Sequence, residues 1–437
     1  GVSFGKLILW DWGRNGRHQQ LRLDRSAKEL HSWPGQNKVG LMTDKTISLY
    51  ASLEDPSPQY WPAAERQRIT ASAFSADGRY LAYGDEMGHI FWVSLFEERP
   101  VIEIKGAYVD EILQFATEFS YRPDSLHADE FPGLPFDPME MKKAENPVQF
   151  LRDKIPGHWG SVRGLAFLEE GPYLISAGQD WSLKVWDLKG NKLSETAGMQ
   201  SLPSLDALRG GDAMQLQQQI QVQADPFANN NLDLNHVLGG AGQGEPIRRL
   251  IRRPAHQQLL SIDERKQLQL FTPETGNLDL LTAKGEEAVF SADGKQLYLL
   301  DFDQLSAYEL GESASELRPL WQAELPNAEA SIMKLSPSGE ILTLGTRKGE
   351  LWLYRADKWD GKLALASAAS VSSLAWVDEN TMLVGQDDRK VNRISLDTEA
   401  MLEVLERSLE ENIVGIRPTN PESQRGANRG SGSVRSR

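Results

Sequence analysis

The sequence predicts an all-β chain built from repeated antiparallel units, and two observations support this prediction. A segment of five to seven residues recurs along the chain, alternates apolar and polar side chains, and usually has an aromatic residue at its fifth place. The fifth places are Trp10, Tyr50, Val93, Trp186, Phe271, Tyr308, Tyr354 and Ile394. Such alternation is typical of β-strands. Five of the seven intervals lie near 40 residues, and the two long ones fit one unit plus an insertion. A period near 40 with several strands per unit predicts a β-propeller.

Further strands lie on both sides of the aromatic strand in each unit. Two strands precede it, and a tight turn such as Asp77-Gly78 or Asp293-Gly294 joins them. These pairs are typical of hairpins because glycine adopts a positive φ without steric cost. A fourth strand follows, as in residues 100–104. Four antiparallel strands per unit are what a propeller blade requires.

The length of the chain fits this arrangement when two insertions interrupt the repeat. We place the insertions at 106–153 and 200–245, and a flexible basic tail at 417–437. The remaining residues then fill eight units of about 40 residues each. The sequence therefore predicts a single propeller domain over residues 1–416, with eight blades preferred and seven blades as the alternative.

One unit resembles a known repeat family over its whole length. Residues 157–188 contain a Gly-His pair, a Ser, an Asp and a final Trp-Asp pair in the order and spacing of a WD repeat. This resemblance implies that four side chains form a structural, hydrogen-bonded tetrad within one blade. They are His158, Ser176, Asp180 and Trp186. Most other units keep only the aromatic residue and the turn glycines.

The resemblance also implies how the ring closes. WD-repeat propellers commonly pair the two chain ends within one blade. The chain begins inside a unit, with residues 6–12 resembling a third strand and 17–23 a fourth strand. At the other end, residues 413–417 are a candidate for the first strand of the closing blade, whose second strand the sequence does not identify.

Both insertions are expected on one face of the propeller. In WD-repeat propellers, the connection from the fourth strand to the next blade opens on the same face as the turn between the second and third strands. Trp159 lies in such a connection and Trp181 in such a turn of the unit 155–199. Because Trp is enriched at protein interfaces, this face is a candidate partner surface. The alternative is that the insertions pack over both Trp side chains and bury them.

The first insertion has a partly regular pattern. Five apolar residues recur at helical spacing and predict one apolar helix face: Val109, Ile112, Leu113, Ala116 and Phe119. Asn146-Pro147 predicts the start of a short helix over 147–153. The Pro-rich stretch between these helices contains Phe131, Phe136 and Met139. The insertion is either a lid folded onto the propeller or a segment through which these residues contact a protein partner.

A basic segment lies on a predicted first strand. Residues 247–253 contain Arg248, Arg249, Arg252 and Arg253. First strands line the central channel of a propeller, so the arginines are a candidate site for an anion or an acidic peptide. The alternative is that they pair with carboxylates of neighbouring blades, of which the chain has a surplus.

Composition argues against several classes of function. A net charge of −15 argues against a protein that coats nucleic acid. The chain has no Cys, which excludes disulfides, thiolate zinc sites and cysteine nucleophiles. The sequence contains no run of 18 apolar residues, so no membrane-spanning segment is predicted. The seven His lack the spacing of a helical metalloprotease motif, and no Gly-x-Ser-x-Gly motif occurs. We therefore predict no catalytic residues, no metal and no cofactor.

The preferred function is a non-catalytic scaffold that binds protein partners through one elaborated face. One alternative is a ligand-binding or enzymatic propeller with a pocket at the channel mouth. Another is the regulatory or sensory part of a longer chain, because the chain starts inside a repeat. A cytoplasmic location is preferred, with the periplasm as the alternative.

Overall fold

The structure is a computed structural model that describes residues 7–395 with gaps. The gaps are 13–15, 34–37, 52–57, 63–66, 98–99, 109–110, 113, 116–117, 119–126, 133, 142, 145–146, 169–172, 181, 188, 198–246, 257, 273–276, 312–316, 326–328, 357–360 and 368. The described residues form seven antiparallel β-sheets, which are the blades of a propeller. The first two strands are β1 (Leu7–Trp12) and β2 (Gly16–Arg22), and they belong to the last blade.

The next twelve strands form the first three blades. Blade 1 contains β3 (Glu29–Trp33), β4 (Lys38–Met42), β5 (Thr46–Tyr50) and β6 (Gln59–Pro62). Blade 2 contains β7 (Ile69–Phe74), β8 (Tyr80–Asp85), β9 (Ile90–Ser94) and β10 (Ile102–Ile104). Blade 3 contains β11 (Val162–Phe167), β12 (Leu174–Gly178), β13 (Ser182–Trp186) and β14 (Lys192–Ala197).

Three further blades repeat this four-stranded order. Blade 4 contains β15 (Ile247–Arg253), β16 (Gln258–Asp263), β17 (Gln267–Thr272) and β18 (Asn277–Lys284). Blade 5 contains β19 (Glu287–Phe290), β20 (Gln296–Asp301), β21 (Gln304–Leu310) and β22 (Leu317–Glu324). Blade 6 contains β23 (Ala330–Leu335), β24 (Ile341–Thr346), β25 (Glu350–Arg355) and β26 (Gly361–Ala366).

Blade 7 joins the two ends of the described chain. Its strands are β27 (Val371–Asp378), β28 (Thr381–Gln386) and β29 (Lys390–Ser395), followed outward by β2 and β1. β2 pairs antiparallel with β29, for example Gln19 with Arg393. The first strands of consecutive blades contact one another from blade 2 to blade 7. Blade 1 completes the ring, because its first strand β3 contacts β27 of blade 7 and its Glu29 accepts a hydrogen bond from Ser72 of β7 in blade 2. The ring is therefore closed by seven blades.

The preference for eight blades was wrong, and β1 explains the error. The segment 6–12 was predicted to be a third strand, but β1 is an additional outer strand of blade 7. An alternating strand has the same sequence pattern at either place, because the pattern does not specify the pairing partner. β2 is the fourth strand, in agreement with the prediction for 17–23. The predicted first strand at 413–417 lies outside the described residues, and β27 holds its place.

Hydrophobic clusters fill the spaces between consecutive blades. Between blades 2 and 3, Trp92 and Ile104 pack with Leu165, Phe167 and Trp186. The second strands β12, β24 and β28 are buried along their whole length. They have a neighbouring blade on each face, so both sets of alternating side chains are buried.

The first insertion contains short helices between blades 2 and 3. They are a 3₁₀ helix (Ala128–Glu130), α1 (Pro138–Met141) and α2 (Pro147–Lys154). The helix predicted over 147–153 is therefore present as α2. The second insertion, 200–245, and the tail, 417–437, lie outside the described residues. None of the helices in the described ranges combines the length and the apolar character needed to cross a membrane.

Candidate functional site

The first insertion folds into a lobe, residues 106–155, that is attached through a narrow neck. Gly157 donates its N–H to the Lys105 carbonyl at 2.7 Å, and Gly160 donates to the Ala107 carbonyl at 2.7 Å. Ala107 and Trp159 also form an isolated parallel bridge. The chain therefore enters and leaves the lobe along two paired backbone segments.

The neck is held against the turn that joins β8 to β9 in blade 2. His158 donates its N–H to the carbonyl of Gly88 at 2.9 Å. The two backbones approach so closely that a Cβ on Gly106 would lie 2.2 Å from the carbonyl carbon of Gly88. Glycine is required there because any side chain would push the neck off blade 2.

The lobe has an aromatic core of its own. Phe115 packs edge-to-face on Phe131 and Phe136, with ring centroids 5.2 and 5.4 Å apart. Trp159 lies in the same cluster and is only 3% exposed, while Phe131 is 3% and Phe136 7% exposed. These three aromatic residues therefore lie in a core, which corrects the expectation that they face a partner. The first insertion buries Trp159, as the alternative expected for this residue, whereas the second insertion lies outside the described residues.

Other residues of the lobe face solvent. Met139 on α1 is 39% exposed and Tyr108, next to the neck, is 40% exposed. Asp137 accepts the N–H of Met139 at 2.9 Å and so caps α1. Glu140 of α1 pairs with Lys154 of α2 at 2.7 Å. Met139 thus projects from the surface that α1 and α2 form, whereas Trp181 lies outside the described residues.

The four residues of the predicted tetrad form a continuous hydrogen-bonded network in blade 3. Trp186 donates Nε1–H to Ser176 Oγ at 2.8 Å, and Ser176 Oγ lies 2.7 Å from His158 Nε2. His158 Nδ1 lies 2.9 Å from Asp180 Oδ1. The network is satisfied when Ser176 accepts from Trp186 and donates to Nε2, while Nδ1–H is donated to Asp180. All four side chains are buried, so the network is structural.

The tetrad also contacts the neck of the lobe. The second carboxylate oxygen of Asp180 accepts the backbone N–H of Trp159 at 2.9 Å. Burial raises the pKa of Asp180, but His158, Lys184 and the Trp159 amide outweigh burial and hold that pKa below its usual value. The ionised carboxylate therefore joins the core of blade 3 to the base of the lobe.

A buried lysine makes a second connection between blade 3 and the lobe. Lys184 on β13 is 1% exposed and donates Nζ–H to the carbonyls of Pro156 and Gly157 at the lobe exit. It also pairs with Glu195 of β14 at 3.3 Å, and Lys192 pairs with the same carboxylate. Burial alone would raise the pKa of Glu195, but the charges of Lys184 and Lys192 dominate and lower it strongly. Lys184 was not predicted as a site residue, because a lysine in an alternating strand is normally exposed.

The four arginines of β15 do not converge on one site. Arg253 is 1% exposed and donates to the Gly294 carbonyl and to Gln258 Oε1, both at 2.6 Å. Arg249 pairs with Glu287 at 2.9 Å, as the alternative interpretation expected. Arg252 is partly buried and Arg248 is exposed. Among these four arginines, only Arg248 is exposed and makes no hydrogen bond or ion pair within the described chain. The four residues therefore do not form the candidate anion site together.

A second polar group lies on the first strands of blades 1 and 2. Glu29 Oε2 accepts Ser72 Oγ–H at 2.6 Å and lies 3.3 Å from His31 Nε2. His31 Nε2 is also 3.1 Å from Ser72 Oγ. A catalytic triad uses the two different nitrogens of His, and here both partners meet Nε2, so this group is not a nucleophile relay. The sequence did not indicate it, because the residues come from two separate units.

Two carboxylates on first strands, Glu29 of blade 1 and Glu287 of blade 5, have opposite pKa shifts. Burial opposes ionisation of Glu29, but His31, Ser72 and the charge of Arg249 together lower its pKa. Burial raises the pKa of Glu287 and outweighs the charge of Arg249 bound to it. In the part of the chain that the structure describes, no three His, Asp or Glu side chains are grouped to hold a metal ion.

An open cleft lies on the outer rim between blades 1 and 2 and was not predicted. Its volume is about 460 Å³, and its lining includes Tyr60, Trp61, Phe96 and Val101. Tyr60 is 46% and Phe96 49% exposed. The sequence pattern did not indicate this cleft, because the packing of neighbouring blades is not visible in the sequence.

The seven closed blades define the chain as a seven-bladed β-propeller. Residues 149–187 match the family model described as WD domain, G-beta repeat, and all four tetrad residues lie within the match. The match and the seven four-stranded blades together support assignment to the WD-repeat propeller family. No curated protein matches the chain.

Proposed function

We propose that this propeller is a non-catalytic scaffold that binds a protein partner on the face of the lobe. WD-repeat propellers commonly mediate protein interactions. The observation that supports the proposal is the attachment of the lobe to blade 3. The neck, the Asp180 carboxylate and Lys184 all hold a segment that the four-stranded blade does not need for its own sheet. A lobe held in this way presents a pre-organised surface, which lowers the entropic cost of binding.

The exposed residues of the lobe are the proposed contacts. Met139 and Tyr108 offer apolar area to a partner, whereas Phe131, Phe136 and Trp159 maintain the shape of the lobe from its core. Met is adaptable at binding surfaces because its side chain is flexible and polarisable. Trp181 stands in the chain between β12 and β13 of the same blade, and we retain it as a proposed contact.

Site-specific crosslinking tests this surface. A photo-reactive amino acid is placed at Met139 or Tyr108, and at Leu320 of β22 in blade 5 as a control with a similar exposure of 41%. Each variant is irradiated in an extract of the native source, and crosslinked proteins are identified by mass spectrometry. We expect one protein to be crosslinked from positions 139 and 108 and not from position 320. Crosslinking that is absent, or equal at all three positions, would contradict the proposal.

A further inference from the structure

Five first strands share a β-bulge at the same place. In each, the second residue is skipped in the pairing with the second strand, while the residues before and after it are paired. The skipped residues are Thr70, Arg163, Arg248, Ser331 and Ser372. A bulge frees a residue from the regular ladder and redirects its side chain, and bulges of this kind are frequent next to functional sites.

In three of the blades, the bulged residue connects one blade to the next. Thr70 donates Oγ1–H to the Val162 carbonyl at 2.7 Å, and Ser372 donates to the Ala27 carbonyl at 2.7 Å. Ser331 has the same relation to Val371, at 3.4 Å. Each acceptor lies at or just before the first strand of the following blade. A short hydroxyl side chain at the bulge therefore suffices for the contact between blades.

Blades 3 and 4 have arginine where these blades have a hydroxyl. Arg163 and Arg248 are both exposed. Neither side chain forms a hydrogen bond or an ion pair within the described ranges. Glu287, whose charge acts on Arg248, is already bound to Arg249 at 2.9 Å. The chain has a net charge of −15, so two exposed arginines on neighbouring strands form a local positive charge on an acidic protein.

The two arginines lie on neighbouring first strands, next to the base of the lobe. Their strands β11 and β15 contact each other directly, and the arginines hold equivalent positions on them. Arg163 follows Trp159, at the base of the lobe, by four residues. A partner seated on the lobe would therefore have this pair beside the base of the lobe.

We propose that Arg163 and Arg248 form a site for the oxyanions of an acidic protein segment. A guanidinium group donates two parallel hydrogen bonds to a carboxylate or a phosphate, and its positive charge persists at all physiological pH values. Either a run of Asp and Glu or a phosphorylated side chain of such a segment supplies this chemistry. The proposal rests on the scaffold function and names the chemical class of partner that this surface recognises.

Peptide binding tests the site directly. The probes are three fluorescent ten-residue peptides, which contain mainly Glu, mainly Gln, or Gln with two phosphoserines. The variant is Arg163→Ser with Arg248→Ser, which reproduces the residue found at the bulges of blades 6 and 7. The control is Arg318→Ser on the outer strand β22, where the arginine is 79% exposed. Melting temperatures verify that every variant is folded.

We expect the wild-type chain to bind the Glu peptide, the phosphoserine peptide, or both, and not the Gln peptide. The double variant should lose roughly ten- to a hundredfold in affinity, as expected when charge-assisted hydrogen bonds are removed. Arg318→Ser should bind like the wild type, and binding should weaken as salt rises. The proposal is wrong if the wild type binds none of the peptides, or if the double variant binds as tightly as the wild type.

The crosslinking experiment separates this proposal from the scaffold function. If the double variant still crosslinks its partner from Met139 but has wild-type affinity for the acidic peptides, the arginine site is wrong and the scaffold stands. If no crosslink forms from Met139 in either chain while the acidic peptides bind through the arginines, the anion site stands and the lobe surface is wrong.

Discussion

Blades 3 and 5 have the same four-stranded topology but are stabilised in different ways. In blade 3, Ser176 and Trp186 are joined to His158 and Asp180 by buried hydrogen bonds. In blade 5, Leu299 holds the register position of Ser176, and Tyr308 that of Trp186. Leu299 is 2% exposed and lies within an apolar cluster. The fold therefore does not need the tetrad in every blade.

The difference shows what the tetrad of blade 3 adds. Blade 5 closes its sheet with apolar packing. Between its described strands there is no insertion as long as the lobe. In blade 3, the same polar network that holds the sheet also bonds the base of the lobe through Asp180 and Trp159. A polar network specifies one geometry because each buried donor and acceptor must be satisfied. In blade 3, the network therefore also fixes the base of the lobe.

The largest effect is expected from removing the central aromatic residue of blade 3. Trp186 is fully buried, so Trp186→Ala should lower the free energy of unfolding by roughly 3–5 kcal/mol. Tyr308→Ala in blade 5 should cost less, because Tyr308 is only partly buried. Urea unfolding of both variants measures the difference. Equal losses would contradict the distinction between the two blades.

A substitution at the neck tests whether close backbone contact holds the lobe. Gly106→Ala places a Cβ 2.2 Å from the carbonyl carbon of Gly88, so we expect a loss of roughly 1–3 kcal/mol and faster tryptic cleavage within the lobe. Gly285→Ala, just before blade 5, is the matched control, because its Cβ would have no neighbour closer than 3.4 Å. Similar behaviour of the two variants would show that the neck is not tightly packed.

Removing one hydroxyl separates the tetrad from an ordinary buried serine. Ser176→Ala leaves both Trp186 Nε1–H and His158 Nε2 without their partner, and should cost about 1–3 kcal/mol. Ser261 holds the same register position in blade 4 and makes one long bond, 3.5 Å, to the Gln269 carbonyl. Ser261→Ala should therefore cost less, and thermal unfolding of both variants measures the difference. An equal cost would mean that the tetrad adds nothing beyond burial.

The smallest effect concerns pH. The pKa of Glu195 is lowered in the folded chain, whereas in the unfolded chain the group titrates near 4.5. Its contribution to stability is therefore complete above that pH and is lost as the pH falls towards the folded value. Between about pH 5 and about pH 3, the melting temperature should fall more steeply for the wild type than for Glu195→Gln. The blade 5 control is Glu309→Gln, which removes an exposed ion pair at 3.6 Å and should keep the wild-type dependence of melting temperature on pH. If Glu195→Gln showed the same dependence as this control, the lowered pKa of Glu195 would be refuted.

The sequence was sufficient where the information is local. The period near 40 residues, the turn glycines and the residues of the tetrad all lie within single units, and the propeller follows from them. The blade count was wrong because β1 pairs only with β2, and β2 pairs with β29 from the other end of the described chain, so β1 extends blade 7. A strand pattern cannot show whether a strand begins a new blade or extends an existing one.

The candidate site was harder to predict because burial depends on tertiary packing. Phe131 and Phe136 in a Pro-rich stretch have the same sequence pattern whether they face a partner or pack in a small core. The Arg163 and Arg248 pair becomes visible only when the bulge register aligns separate blades. The second insertion and Trp181 lie outside the described residues, so their predicted roles stay predictions.

Partner binding by the lobe is tested by comparing capture by the intact chain with capture by a chain in which a short Gly/Ser linker replaces residues 109–154. This variant keeps the paired backbone of the neck and the whole of blade 3. Both chains are immobilised, exposed to an extract of the native source, and analysed by mass spectrometry. We expect a stoichiometric protein that is retained by the intact chain and absent from the folded variant. Retention of the same protein in equal amount by both chains would contradict it.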